Sequence, residues 1–381
     1  MALGLLVLAV WLFLALARGN FWLCRDRDDV LPPPAPAHWP SVVAVIPARD
    51  EADVIAQSLA SLLAQDYPGE FRIILGDDQS SDGTAEAARA CTLDRPERLT
   101  ILNGAPLPKG WAGKLWAASQ GVAYARHSFA PKYLLLTDAD IFHTPDNLRA
   151  LVARAESGGY GLVSLMALLR CESPAEKLLI PAFVYFFQML YPFGWVSDAR
   201  KKAAGAAGGC MLAQADVLAR AGGIESIAGA LIDDCALGAR MKQVGPIWLG
   251  LTKRVVSLRP YPHFADIRKM VARSAYAQLS YSPLLLLGCV AGMALTYFAP
   301  LALALAGEGA ALALGLAAFG LMSLTFAPIQ SFYGLSPLRA LTLPLIAAIY
   351  MVYTLDSALQ HARGRGGMWK GRAQAHHTDN A

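Results

Sequence analysis

Three times between residues 40 and 160 the chain repeats one plan: a short aliphatic run, an acidic loop, then a segment with apolar residues three and four apart. The first copy is "SVVAVIPARDE" followed by "ADVIAQSLASLLAQ"; the second is "FRIILGDDQSSDGTAEAARAC"; the third is "KYLLLTDADIFHTPDNLRALVARA". These are the periods of strand and helix in turn. Strands alternating with helices predict an α/β domain with a parallel sheet and right-handed crossovers. Asp82 or Thr84 is placed to cap the second helix. In such a sheet ligands bind beyond the carboxyl ends of the strands. All three strands end in acid: Asp50 and Glu51, Asp77 and Asp78, Asp138 and Asp140.

On extended backbone, residues two apart face the same way, so Asp138 and Asp140 can address one point. Two carboxylates held close repel unless a cation lies between them or one is protonated. Mg²⁺ or Mn²⁺ suits oxygen donors of this kind and would also bridge substrate phosphates. His143 is a further candidate ligand, set against the plain reading of a loop histidine without that role.

Four other stretches carry two readings each. "GDDQSSDGT" is ordinary turn chemistry; alternatively Asp77 or Asp78 accepts hydrogen bonds from a nucleotide base or ribose, with the helix start facing a phosphate. In "PLPKGWAGKLWAA", residues 106–118, Lys109 and Lys114 are either solvated cations or the charges of a glycine-hinged diphosphate lid. "AAGAAGGCMLA", residues 203–213, is a flexible loop or a place where backbone approaches a ligand closely. Asp233 and Asp234 open a helical segment, where acids favour the helix dipole, or one of them takes a proton from an attacking hydroxyl.

The composition is uneven along the chain. Residues 1–17 carry no charged side chain and are followed by Arg18, Arg25 and Arg27, which predicts an uncleaved membrane anchor with a cytoplasmic flank. "LPPPAPAHWP", residues 31–40, is a semi-rigid spacer. Apolar blocks at 284–306, 309–333 and 338–359 read as membrane helices. Three full spans would leave the basic tail outside, against the positive-inside trend. The last block, which contains Pro344 and Asp356, is therefore expected to be re-entrant or interfacial. "LLIPAFVYFFQMLYPFGWV", residues 178–196, is broken by Pro181 and Pro192 and reads as interfacial, with buried core as the rival. The expected organisation is an anchor at 1–18, a Pro-rich linker at 19–40 and a catalytic domain at 41–250. A membrane-proximal segment at 251–283, membrane helices at 284–360 and a basic cytoplasmic tail at 361–381 follow. A net charge of +4 without a basic stripe points away from nucleic acid. The six cysteines lack metal or disulfide spacing.

Taken in order, "VVAVIPARDE", "GDDQSSDGT", "KGWAGK", "TDAD", "GGCML" and "IDD" resemble an inverting family 2 glycosyltransferase of the GT-A fold over about residues 42–245. The flanking apolar segments and "RGRGGMWKGR" are similar to hopene-associated glycosyltransferases of bacterial hopanoid clusters, and to ceramide and carotenoid glycosyltransferases. The resemblance implies that Pro47, Arg49, Glu51, Asp77, Asp78, Lys114 and Asp138 contact the nucleotide sugar, a UDP-sugar by expectation. It also implies that Asp138 and Asp140 hold the metal and diphosphate. Asp234 would be the base of the family's Glu-Asp pair, and Asp233 stands where glutamate is usual. The segment 268–283 lacks the family's Gln/Arg-x-x-Arg-Trp spelling, which argues against processive synthesis. The implied partners are a lipid acceptor and the bacterial inner membrane, with a non-catalytic nucleotide-binding scaffold of the same pathway as the alternative.

Overall fold

The run Val42–Ala48 is buried at every position, as a strand covered on both faces must be. It forms β1 of an eight-stranded sheet. The computed structural model describes residues 1–92, 96–364, 368–369 and 372–373. Its other sheet strands are β2 (Phe71–Asp77), β3 (Leu99–Asn103), β4 (Tyr133–Thr137), β5 (Ile141–His143), β6 (Leu162–Leu168), β7 (Cys210–Gln214) and β8 (Ile247–Ser257). Their order is β3-β2-β1-β4-β7-β6-β8-β5.

The repeated half of the sheet, β3-β2-β1-β4, is parallel as the sequence pattern predicts. Beyond it the expectation holds only for β6 and β8, which pair in parallel; β7 runs antiparallel to both β4 and β6, and β5 antiparallel to β8. The sheet is therefore mixed. Parallel pairing is enforced by strand-helix-strand crossovers, and the repeat that supplies them stops after the third copy. One face of the sheet buries Ile46, Leu75, Leu135 and Val163 against Leu59 and Leu148. The helix Gly113–Ser128 lies close on β1, where a Cβ on Gly121 would stand 2.5 Å from Val45 Cγ1. That approach fixes the helix start at the sheet edge.

Among the described residues this sheet unit is made up chiefly of Asp26–Arg170 and Trp195–Pro260. It corrects two expected boundaries. β8 runs on to Ser257, so residues 251–260 belong to the sheet and not to a membrane-proximal segment. Part of the expected linker at 19–40 is also tied in: Asp28 donates its amide to Leu251, and its buried carboxylate accepts from Thr252 and Arg254.

The second unit comprises Met1–Arg25, Cys171–Gly194 and Tyr261–Gly366. Three of its helices are long and apolar enough to cross a membrane: Pro283–Ala306, Gly309–Phe332 and Pro337–Ala362. The apolar helix Ala2–Ala17 is shorter. Pro344 falls in the first α-helical turn of the last block, where a missing N–H costs nothing. That helix is continuous, so the expected re-entrant break is absent from it. The segment around Pro181 is likewise one helix, Pro174–Leu190. Proline deprives the Lys177 carbonyl of its helical donor, and Arg339 Nη1 reaches that oxygen instead at 3.3 Å. Tyr185 on this helix is fully buried between Phe21 and Phe326 and shares a 2.9 Å hydrogen bond with Thr325. Part of this helix is thus buried, as the buried-core reading expects. Most of the expected basic tail at 361–381 lies outside the described residues.

Candidate active site

Asp138 and Asp140 follow β4 directly, with Ala139 between them in the hydrophobic core. The two aspartates occupy the turn between β4 and β5, and both side chains remain partly exposed. Each is met by a cation. Lys114, in the first turn of its helix, places Nζ 2.8 Å from Asp138 Oδ1 and 3.1 Å from Asp233 Oδ2. Burial opposes the charge on Lys114, but Asp138, Asp233 and Asp234 outweigh it and hold the lysine above its ordinary pKa. Burial is also the main influence on Asp138, whose pKa rises despite Lys114, with Asp140 adding to the rise. Lys114 is thus joined to the site by two ion pairs, whereas Lys109 is exposed on the preceding loop.

Asp233 and Asp234 begin the helix Asp233–Val244, as the sequence suggests. The helix packs so tightly on the glycine-rich loop that a Cβ on Gly238 would lie 2.7 Å from the carbonyl carbon of Gly205. The two acids then divide. Asp233 pairs with Lys114. Asp234 accepts from two backbone amides, Gly208 N–H at 2.9 Å and Cys235 N–H at 2.7 Å. Burial, reinforced by the neighbouring Asp233 carboxylate, pushes Asp234 up to about 6. Pro47, Lys114, Asp138, Gly208 and Asp233 line a common pocket.

A second cation centre stands beside the first. Arg259 Nε donates to Asp140 Oδ2 at 3.0 Å while its Nη2 donates to Glu51 Oε2 at 2.5 Å. The arginine is also held above its ordinary pKa, Glu51 and Asp140 outweighing burial. The sheet sets this meeting: Ile141 pairs with Ser257, the Leu258 amide donates to the Asp140 carbonyl, and Arg259 comes next. Sequence reasoning missed Arg259, which sits in "SLRPYP" with no local signal and 119 residues from Asp140. The amides of Gly208 and Cys235 were equally invisible.

The β2 end is drawn inward. Asp78 is fully buried, with Arg49 Nη1 donating to its main-chain oxygen and standing 3.6 Å from its carboxylate. Asp77 is nearly buried and accepts from the Ser80 amide. Asp82 accepts from the Thr84 amide just ahead of the helix Thr84–Ala90.

His143 is corrected. It lies inside the sheet, 1% exposed, with Nε2 bonded to Thr137 at 3.0 Å and Nδ1 to Asn147 at 2.9 Å. Both ring nitrogens are committed, and burial lowers the imidazole to about 3. It is a packed, neutral histidine and not a metal ligand. Among the described residues no group of three or more His, Cys, Asp and Glu side chains is arranged to hold a metal. The fit to Mg²⁺ or Mn²⁺ therefore rests on the two oxygen donors Asp138 and Asp140, which match the preference of those ions.

The site thus lies at the edge of a mixed α/β sheet, where carboxylates from several segments gather around two cations. Residues 43–219 match the family described as Glycosyl transferase family 2. The succinoglycan biosynthesis protein ExoO of Rhizobium meliloti (strain 1021) is 31% identical over 180 residues, 43% of this chain and 48% of that protein. The chain thus spans about half the length of the curated relative it matches. Among solved structures, the mannosyltransferase PcManGT from Pyrobaculum calidifontis, in complex with GDP-Man and Mn²⁺, is similar with a TM-score of 0.53. It is 19% identical, with 94% of this chain and 99% of that chain covered. That likeness bears on the fold, which is GT-A-like. The match to Glycosyl transferase family 2 is confined to residues 43–219, which hold most of the sheet unit.

Proposed function

We propose that the chain is a membrane-bound, inverting glycosyltransferase that moves a sugar from a nucleoside-diphosphate sugar to a lipid hydroxyl. The observation that carries this reading is Asp234: a half-buried carboxylate clamped by two amides, raised to about 6, beside a lysine shared with Asp138 and Asp233. A base with that pKa is mostly ionised at pH 7 yet far stronger than an ordinary aspartate. Asp234 takes the hydroxyl proton as the acceptor oxygen bonds to the anomeric carbon. The bond to the departing diphosphate breaks on the opposite side, so the product is inverted. Lys114 lies where it offsets the negative charge that gathers on the leaving group.

Asp138 and Asp140 would hold Mg²⁺ or Mn²⁺, and such an ion supplies Lewis-acid stabilisation of a leaving diphosphate. Pro47, Arg49, Glu51, Asp77 and Asp78 belong to the donor side in this reading, Asp77 and Asp78 towards the nucleoside. The donor nucleotide is proposed to be UDP. The three apolar helices support membrane attachment, and an inner-membrane location with the sheet unit in the cytoplasm follows from the basic flank of the first helix. The resemblance to hopene-associated enzymes favours a hopanoid or related isoprenoid lipid as acceptor. Incubating membranes with radiolabelled sugar nucleotide tests the reading. Label should enter the lipid extract with wild-type protein and not with Asp234→Asn; label confined to soluble nucleotide would refute it.

A further inference from the structure

The two aspartates of the "TDAD" turn are not equivalent. Asp138 faces a lysine, a compact point charge. Asp140 faces Arg259, whose planar guanidinium spans two acids at once. A two-pronged guanidinium contact of this kind is stronger and more directional than an ammonium contact. The side chains of Glu51, Asp140 and Arg259 are 8%, 19% and 30% exposed, so the bridge is partly shielded from water. Asp140 Oδ2, one of the oxygens a divalent ion would need, is thus already an acceptor for a cation that Glu51 anchors.

Resting on the glycosyltransferase reading, we infer that Arg259 is a positioning residue that competes with the divalent ion for Asp140. Without nucleotide the guanidinium satisfies Asp140 and suppresses metal binding. When a nucleoside diphosphate arrives, its negative charge offers the displaced guanidinium a new partner, and metal and nucleotide enter together. Glu51 keeps Arg259 within reach in both states, which gives this acid a role through Arg259 in place of direct contact with the sugar nucleotide.

The test is Mn²⁺ binding to the full-length, detergent-solubilised protein, read by loss of the free-ion EPR signal with and without UDP or GDP. Arg259→Gln removes the competitor and should tighten Mn²⁺ binding without nucleotide by about tenfold, the order expected for deleting one nearby like charge. With nucleotide present the advantage should vanish. Arg259→Lys keeps the charge but cannot bridge both acids, and should tighten Mn²⁺ about threefold in the absence of nucleotide. Unchanged or weaker Mn²⁺ binding in Arg259→Gln would overturn the inference. So would an Arg259→Lys protein indistinguishable from wild type, which would reduce Arg259 to a general field effect. If neither wild type nor variants bind Mn²⁺ even with UDP or GDP, the glycosyltransferase reading itself fails.

Discussion

Two clusters at one sheet edge answer the same electrostatic problem differently. In the first, Lys114 sits between Asp138 and Asp233, beside an Asp234 held by amides. In the second, Arg259 sits between Asp140 and Glu51. Each gathers acids that would repel and places one cation among them. The difference lies in what else is present. The lysine cluster contains a carboxylate raised to about 6, the property of a group that moves protons. The arginine cluster contains a rigid bridge, the property of a group that holds geometry. Under the proposed function, chemistry and positioning fall to neighbouring but separate parts of one edge.

The largest expected effect attacks both clusters at once. Asp138→Ala and Asp140→Ala should each lower turnover by about 10²–10³-fold or more, with circular dichroism unchanged. If only Asp138→Ala is impaired, the arginine cluster has no part in donor handling and the comparison breaks. Asp234→Asn should cost about 10²–10⁴-fold in transfer, the usual worth of a general base, while nucleotide binding persists. The same residue sets a pH limb. Because Asp234 is raised to about 6, its base form is lost as pH falls through that value. The wild-type rate should decline below about pH 6 and level off above it, and the residual rate of Asp234→Asn should lack that limb.

Smaller effects sharpen the contrast between site and frame. His143→Ala leaves Thr137 and Asn147 without their ring partner in the interior. It should lower stability by about 1–3 kcal/mol in a denaturant melt, with Mn²⁺ affinity unchanged. A large loss of Mn²⁺ binding in that protein would restore histidine to the metal site. Lys109→Ala, on the exposed loop, should change stability by less than about 0.5 kcal/mol and leave nucleotide affinity intact in the same titrations.

Local pattern carried much of this molecule. The acids at the ends of β1, β2 and β4 and at the start of the helix Asp233–Val244 are legible because strand and helix periods mark those ends. The three apolar blocks are legible because length and composition alone define a candidate span. What was not legible depends on pairing across distance. The antiparallel insertion of β7 and the meeting of Arg259 with Asp140 are set by sheet register, which no local window contains. His143 misled because a histidine three residues past an acidic turn looks the same in sequence whether it faces a ligand or the core. The helix through Pro181 misled because its repair, the Arg339 guanidinium at the Lys177 carbonyl, comes from far along the chain.

Calorimetric titration of the purified protein with UDP and GDP, in Mn²⁺ and again in EDTA, tests most directly whether these acids converge on a metal-bound nucleotide. One of the nucleotides should bind in Mn²⁺ and lose about tenfold or more in affinity once the ion is removed. Equal affinity in Mn²⁺ and EDTA, or no binding of either nucleotide, would contradict it.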